Sequence, residues 1–515
     1  MSPPAAPLQG KSLPANVRGR WLIASEAEQW RGMAGSMEAG GASLLTMWGT
    51  DDRDCDGRFR IHAAYLLPEE VVVVEHALPD GILRYPGLAA QYPIAGRLQR
   101  AVADLLGLHA EGGDQRAWLR HGGWPETFFP LRRDTPSAER FPVQSVRYPF
   151  VSVTGDGVHE IPVGPVHAGT IEPGNFRFSV VGEKVLRLEE RLGYTHKGVA
   201  RRFQELSQRE GQRLAARVSG DSAVAFSWAY CAALEAITGT TVPARAAALR
   251  ALALERERIA NHLGDLGALG NDAGFAFGLT QFSCLKEDLL RANAELFGAR
   301  YLFDYVVPGG VAADLPAEVH PRLSEQLASL EQEIRELRRI YDEHAGLQDR
   351  FRGAGRLEQE LARKLGALGL AGRASGIGRD LRVDQPWPPY GALAPRIAVR
   401  AEGDVAARVQ IRFDEALESI RLCRTLLEQL PAGWILVDVP EASPDRPGLG
   451  LIEGWRGPVL IALHPGANGT IRRCHAHDPS WQNWPLLEFA ILDNIVPDFP
   501  LINKSFNLSY SGHDG

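Results

Sequence analysis

A chain of 515 residues, 45% hydrophobic and 23% charged, has room for roughly two to four domains around sizeable cores and is neither disordered nor rod-like. Its 56 Lys and Arg against 63 Asp and Glu give a formal charge of −7, which argues against a nucleic-acid partner. Five scattered cysteines, no two at CxxC spacing, fit a reducing compartment and leave no local ligand set for an iron–sulfur cluster or structural zinc.

Residues 1–19 are Pro-rich and basic without an apolar core, so they read as a flexible start. Residues 20–134 form a small α/β domain: GASLLTMWGTDD, RFRIHAAYLL and VVVVEHAL are strand-like, and IAGRLQRAVADLLGLH has helical periodicity ended by Gly107. Pro and charge then cluster in a linker over 135–144. The remainder, 145–515, begins with short alternating segments that predict a second small sheet, VRYPFVSVTG among them. Ala/Leu-rich helical text follows from about 196 to 303, broken near Thr238–Pro243 and Asn271–Gly278. Further helices are predicted over roughly 317–347, 356–367 and 403–430, a helix-bundle core. The tail returns to strands (GPVLIALH, GTIRRCHAH) and ends in irregular, Pro-punctuated chain. The fold class is α+β. Apolar runs such as VVVV at 71–74 are too short to cross a bilayer, so membrane contact would run through partners.

Three segments concentrate chemistry-bearing residues. GPVHAGTIEPGNFRF, 164–178, presents His167 on a tight loop, although spacing alone favours a hairpin with an incidental imidazole. In LALERERIANHLGDLGALGNDAGFAF, Arg258, His262, Asp265 and Asp272 share one stripe of an otherwise apolar helix, either its wet face or an internal line of hydrogen-bonded groups. RASGIGRDLRVDQPWPPY packs Arg373, Arg379, Asp380, Arg382 and Asp384 between glycines, a structural clamp or an electron-transfer environment.

These segments, with LEERLGYTHKGVARRF and RYLFDYVVPGG, resemble the large subunit of membrane-bound group 4 nickel–iron hydrogenases and the quinone-site, D-type subunit of NADH-quinone oxidoreductase, respiratory complex I. Upstream, LQRAVADLLGLHAEGG and WPETFFPLRRD resemble the C-type subunit of the same enzymes, with Arg100, Asp104 and Gly107 retained, so the chain looks like a C–D fusion. The resemblance implies a nickel site on four thiolates, but Ser219, Ser222, Ser509 and Gly512 stand at those positions, and no metal is expected. It implies instead a quinone site using His167, oriented by a hydrogen bond to Asp272, with Gly220 where the family places a quinone-binding Tyr. Ala200 replaces a Glu used in proton transfer, and Arg258, His262, Asp265, Arg379 and Asp380 are proton-path or structural candidates. On this resemblance the chain is a peripheral subunit on the cytoplasmic face of the inner membrane. It would bind no cofactor itself, take quinone as a possible substrate, and work beside iron–sulfur and membrane-arm subunits. An inert nickel-free scaffold is the alternative, and an active hydrogenase is excluded.

Overall fold

The computed structural model describes residues 9–515 except 137, 138, 143, 170 and 445. The architecture is α+β, as the sequence predicts. Residues 1–8 of the expected flexible start lie outside the described residues, while Gln9–Ser12 form a strand, β1. It joins β2 (Gly19–Ala24), β3 (Ser43–Asp52), β4 (Arg58–Leu66) and β5 (Val71–Ala77) in a five-stranded sheet of order β1-β2-β5-β4-β3. The four valines 71–74 are wholly buried because this strand is central and covered on both faces, by helix α1 (Ala27–Ala39) on one of them. Helix α2 (Ala95–Leu106) packs on β3 and ends at Gly107 in the left-handed region, φ 71°. The C-type motif residues of α2 hold a loop: Asp104 Oδ2 accepts from the backbone N–H of Trp118 (2.7 Å) and Leu119 (2.6 Å), and Arg100 Nε donates to Arg116 O at 2.7 Å.

The second sheet is present, with order β8-β7-β6 for β6 (Val158–Val163), β7 (Asn175–Val181) and β8 (Lys184–Arg191). VRYPFVSVTG stays outside it, its Pro lacking the ladder donor. The bundle follows: α3 (Ala223–Thr238), α4 (Ala244–Asp272), α5 (Ala276–Phe297), α6 (His320–Glu343) and α7 (Val405–Glu428). Helix α3 is buried on almost every side, so its apolar text wraps the whole circumference. Helix α4 is the axis, packed against α5 and α7.

A third sheet, β9 (Gly448–Gly454), β10 (Gly457–Pro465) and β11 (Ile471–His477), lies on α3 and meets the N-terminal sheet. Trp48 of β3 is stacked between His62 (centroids 4.9 Å) and His475 (5.3 Å), and Arg472 Nε donates to Asp52 at 2.8 Å. The β9–β10 turn, Gly454–Gly457, requires Gly457 at φ 136°, with Gly369 close behind it.

The expected irregular tail is a correction: it folds into α8 (Ser480–Ala490), α9 (Phe499–Phe506) and α10 (Tyr510–Asp514). Pro500 sits in the first turn of α9, where its missing N–H costs nothing. Pro485 lies inside α8, a local breaker overridden by the burial of Trp484, Leu486 and Leu487.

Candidate functional site

The turn ahead of α3 and the start of α10, almost 300 residues apart, meet in the core. Ser509 is the N-cap of α10 and its Oγ accepts from Gly512 N–H at 2.9 Å. Its hydroxyl lies 2.8 Å from Ser219 Oγ, which donates to Asp221 Oδ1 at 2.9 Å. Asp221 closes the chain in a bidentate pair with Arg456 (2.7 and 2.6 Å), and Ser222 Oγ lies 3.5 Å from both partners. Burial pushes Asp221 up, yet Arg456 and Ser219 hold its carboxyl below the usual carboxylate range. All four family ligand positions are thus brought together.

These residues do not fit a nickel–iron centre. Hydroxyls that hydrogen-bond each other replace two thiolates, and a Cβ at Gly512 would lie 2.5 Å from Asp478 Oδ2, so a carboxylate stands where that side chain would begin. Burial drives Asp478 above its ordinary range, and its Oδ2 has no hydrogen-bond partner. Among the described residues no three His, Cys, Asp or Glu side chains are placed to hold a metal ion.

The loop carrying His167 docks on this same C-terminal turn. His167 Nε2 lies 3.4 Å from Tyr510 Oη and Nδ1 3.2 Å from Pro165 O, and Glu172 accepts from Ser511 N–H at 3.1 Å. Gly174 admits the phenol, since a Cβ there would meet Tyr510 Cε1 at 2.7 Å. The expected His167–Asp272 bond is a correction. Asp272 is the last residue of α4, exposed to solvent, and its charged neighbour is Lys504. The apolar stripe runs out one turn before it, so the helix surface there no longer faces the interior. Gly220 is exposed and faces a cavity of about 10 Å³ shared with Asp221, Glu257 and Tyr301, a place His167 does not line. Ala200 borders a separate apolar cavity of about 70 Å³ with Leu105, Val218, Gly512 and His513.

The other three stripe residues form an internal line, not a wet face. Arg258 donates to Glu453 O (2.7 Å) and Gly454 O (3.0 Å), His262 Nε2 meets Glu415 at 2.9 Å, and Arg412 Nε donates to Asp265 at 2.8 Å. The glycine-flanked segment joins them: Arg373 bridges Glu415 (2.7 Å) and Glu453 (3.0 Å), and Arg382 bridges Asp380 (2.7 Å) and Glu255 (3.0 Å). Arg379 pairs with Asp384 at 2.7 Å at the edge of this core. Sequence reasoning missed Tyr510, Asp221, Arg456, Asp478, Glu255, Glu415 and Glu453. The acids on α4 and α7 alone carried a signal, as charges on helix faces otherwise apolar.

A C-like α/β sheet fused to a D-like bundle, with the ligand turns meeting at its centre, defines a class. Residues 23–141 match the family described as "Respiratory-chain NADH dehydrogenase, 30 Kd subunit", and residues 272–449 match its "49 Kd subunit". The chain is 30% identical over 485 residues to formate hydrogenlyase subunit 5 of Escherichia coli, covering 92% of this chain and 85% of that one. It is 30% identical to the carbon monoxide-induced hydrogenase of Rhodospirillum rubrum, covering 68% of this chain and 97% of that one. With the NADH-quinone oxidoreductase C/D subunit of Bacteroides thetaiotaomicron it shares 26% over 465 residues, covering 83% of this chain and 86% of the other. The chain therefore belongs to the family of hydrogenase large subunits and complex I C/D subunits. A chain in the structure of the membrane-bound sulfane sulfur reductase, an archaeal respiratory membrane complex, shares the fold with TM-score 0.66 at 23% identity, covering 71% of this chain and 100% of that one. No helix of the described residues is long and apolar enough to cross a membrane.

Proposed function

We propose that this chain is the C/D-type large subunit of a membrane-associated, complex I-like oxidoreductase and works there without a nickel–iron centre. The carrying observation is the closed chain Gly512–Ser509–Ser219–Asp221–Arg456, with Asp478 against Gly512, at the four ligand positions. The family's naming as subunits and components of larger enzymes supports assembly with partners. Iron–sulfur subunits would deliver electrons, and membrane-arm subunits would hold the chain at the cytoplasmic face. The reaction partner is a quinone-like acceptor bound beside His167, whose imidazole and the Tyr510 phenol offer two polar groups 3.4 Å apart to its oxygens.

A scaffold without chemistry of its own is the second reading, favoured by one observation: the cavity beside Gly512 measures about 70 Å³, well below the several hundred Å³ of ordinary ligand pockets. The test is to purify the chain with its partners from membranes, measure nickel and iron, and titrate a reduced quinone analogue. Absence of stoichiometric nickel with saturable binding weakened by His167→Ala supports the quinone reading. No binding with an intact complex leaves the scaffold, and about one nickel per chain overturns both.

A further inference from the structure

The core between α4, α7 and the tip of β9 is a closed set of buried charges that does not balance. Helix α4 contributes Glu255, Arg258 and His262, and α7 contributes Glu415. Arg373, Asp380 and Arg382 come from the glycine-flanked segment and Glu453 from β9, all at most 4% exposed. Four carboxylates face three guanidiniums and one imidazole. Tyr390 Oη (2.6 Å) and Ser419 Oγ (2.6 Å) donate to Glu255 and bring no charge, and Arg412, beside His262, is neutralised by Asp265. Burial lowers the pKa of His262, so it adds no positive charge at neutral pH. The set then carries one negative charge in excess unless one carboxyl holds a proton, and an uncompensated buried charge is costly.

The geometry selects the carboxyl. Glu415 is held by Arg373 Nε at 2.7 Å and His262 at 2.9 Å, Glu255 by Arg382, Tyr390 and Ser419, and Asp380 by two arms of Arg382. Glu453 has the weakest set: one bond from Arg373 at 3.0 Å, which that guanidinium shares, and one from Leu381 N–H at 3.2 Å. It has no guanidinium of its own, and burial and the Asp380 charge together push its carboxyl up to about 7. Glu453 and Asp380 line a cleft of about 630 Å³ that opens between the N-terminal sheet and the 366–384 segment. Of the four carboxyls, the one with the fewest partners therefore stands at the wall of this cleft.

We propose that Glu453 is a proton-loading site: it takes one proton from the water of this cleft and returns it, switching the buried core between balanced and one negative charge. No bond other than the carboxyl O–H forms or breaks, and the site stands whether or not a quinone binds near His167. Arg373, shared between Glu453 and Glu415, is the positioning residue that senses the change.

Infrared titration of the full chain with its partners tests this. A protonated-carboxyl band should grow as pH falls through neutrality, move on isotope labelling of glutamate, and be missing from Glu453→Gln. Glu257→Gln removes a different buried carboxyl, one pushed up to about 8 by burial, and should leave that band in place. Asp380→Asn, which takes away the negative neighbour, should shift the band's midpoint to lower pH. A band unaffected by both Glu453→Gln and Asp380→Asn overturns the proposal. So does a wild-type chain with no glutamate-labelled band titrating near neutrality, a reading that needs no variant to fold.

Discussion

Two buried polar regions flank the β9–β10 turn, and they solve the same problem differently. On one side Arg456 and Asp221 form a matched pair extended by serine hydroxyls, and the carboxyls there without a cationic partner, Asp478 and Glu257, are both pushed up by burial. On the other, three guanidiniums face four carboxylates beside an open cleft. The first arrangement fills the positions at which the sequence resemblance implies metal ligands. The second keeps a titratable group within the core, which a sealed pair cannot do. Hydrogen-bonded hydroxyls and one ion pair thus close the first region, while the second leaves an excess of carboxylates beside a cleft.

The largest effect should come from the unbalanced side. Glu415 fastens both Arg373 and His262, and although burial pushes it up, those partners hold its carboxyl well below the usual range. Glu415→Gln leaves Arg373 with a weaker acceptor and should cost about 3–5 kcal/mol in chemical unfolding. On the sealed side, Arg456→Met strands Asp221 with the Ser219 and Ser222 hydroxyls alone and should cost about 3 kcal/mol, the lower end of that range. Equal losses would erase the distinction between the regions.

The pH dependence separates them in sign. Glu453 is raised from 4.5 to about 7, so between those values the folded chain keeps a proton the unfolded chain has lost. Its contribution is full below pH 4.5 and is lost as pH rises through 7, with a slope approaching about 1.4 kcal/mol per pH unit. Asp221, lowered from 3.8, contributes above that value and loses it as pH falls. Stability curves of wild type and Glu453→Gln should converge at acid pH and diverge toward neutrality; parallel curves would refute the assignment.

How much of this was legible in the sequence differs by region. The helices α4 and α7 and the breaks at Gly239 and Gly274 were readable because period and punctuation are local. The meeting of Ser219 with Ser509 followed from the family resemblance, not from spacing. Arg456 and Asp221 are 235 residues apart with no local pattern linking them, and Asp478 becomes meaningful only against the missing Cβ of Gly512. Glu453 sits in a strand so uniformly buried that periodicity could not mark it as charged interior.

The smallest effect decides where the His167 loop belongs. The structure places Tyr510, not Asp272, beside the imidazole, and a contact of 3.4 Å at a half-buried site is weak. Tyr510→Phe keeps the ring packed on Trp484 and removes only the hydroxyl. In a double-mutant cycle, His167→Ala and Tyr510→Phe should couple by about 0.5 kcal/mol, the low end for a neutral hydrogen bond. His167→Ala with Asp272→Ala should add without coupling, and Asp272→Ala alone should stay within about 0.5 kcal/mol of wild type, as for an exposed residue. Coupling to Asp272 instead would restore the sequence-based pairing and move the acceptor site from the C-terminal turn to the end of α4.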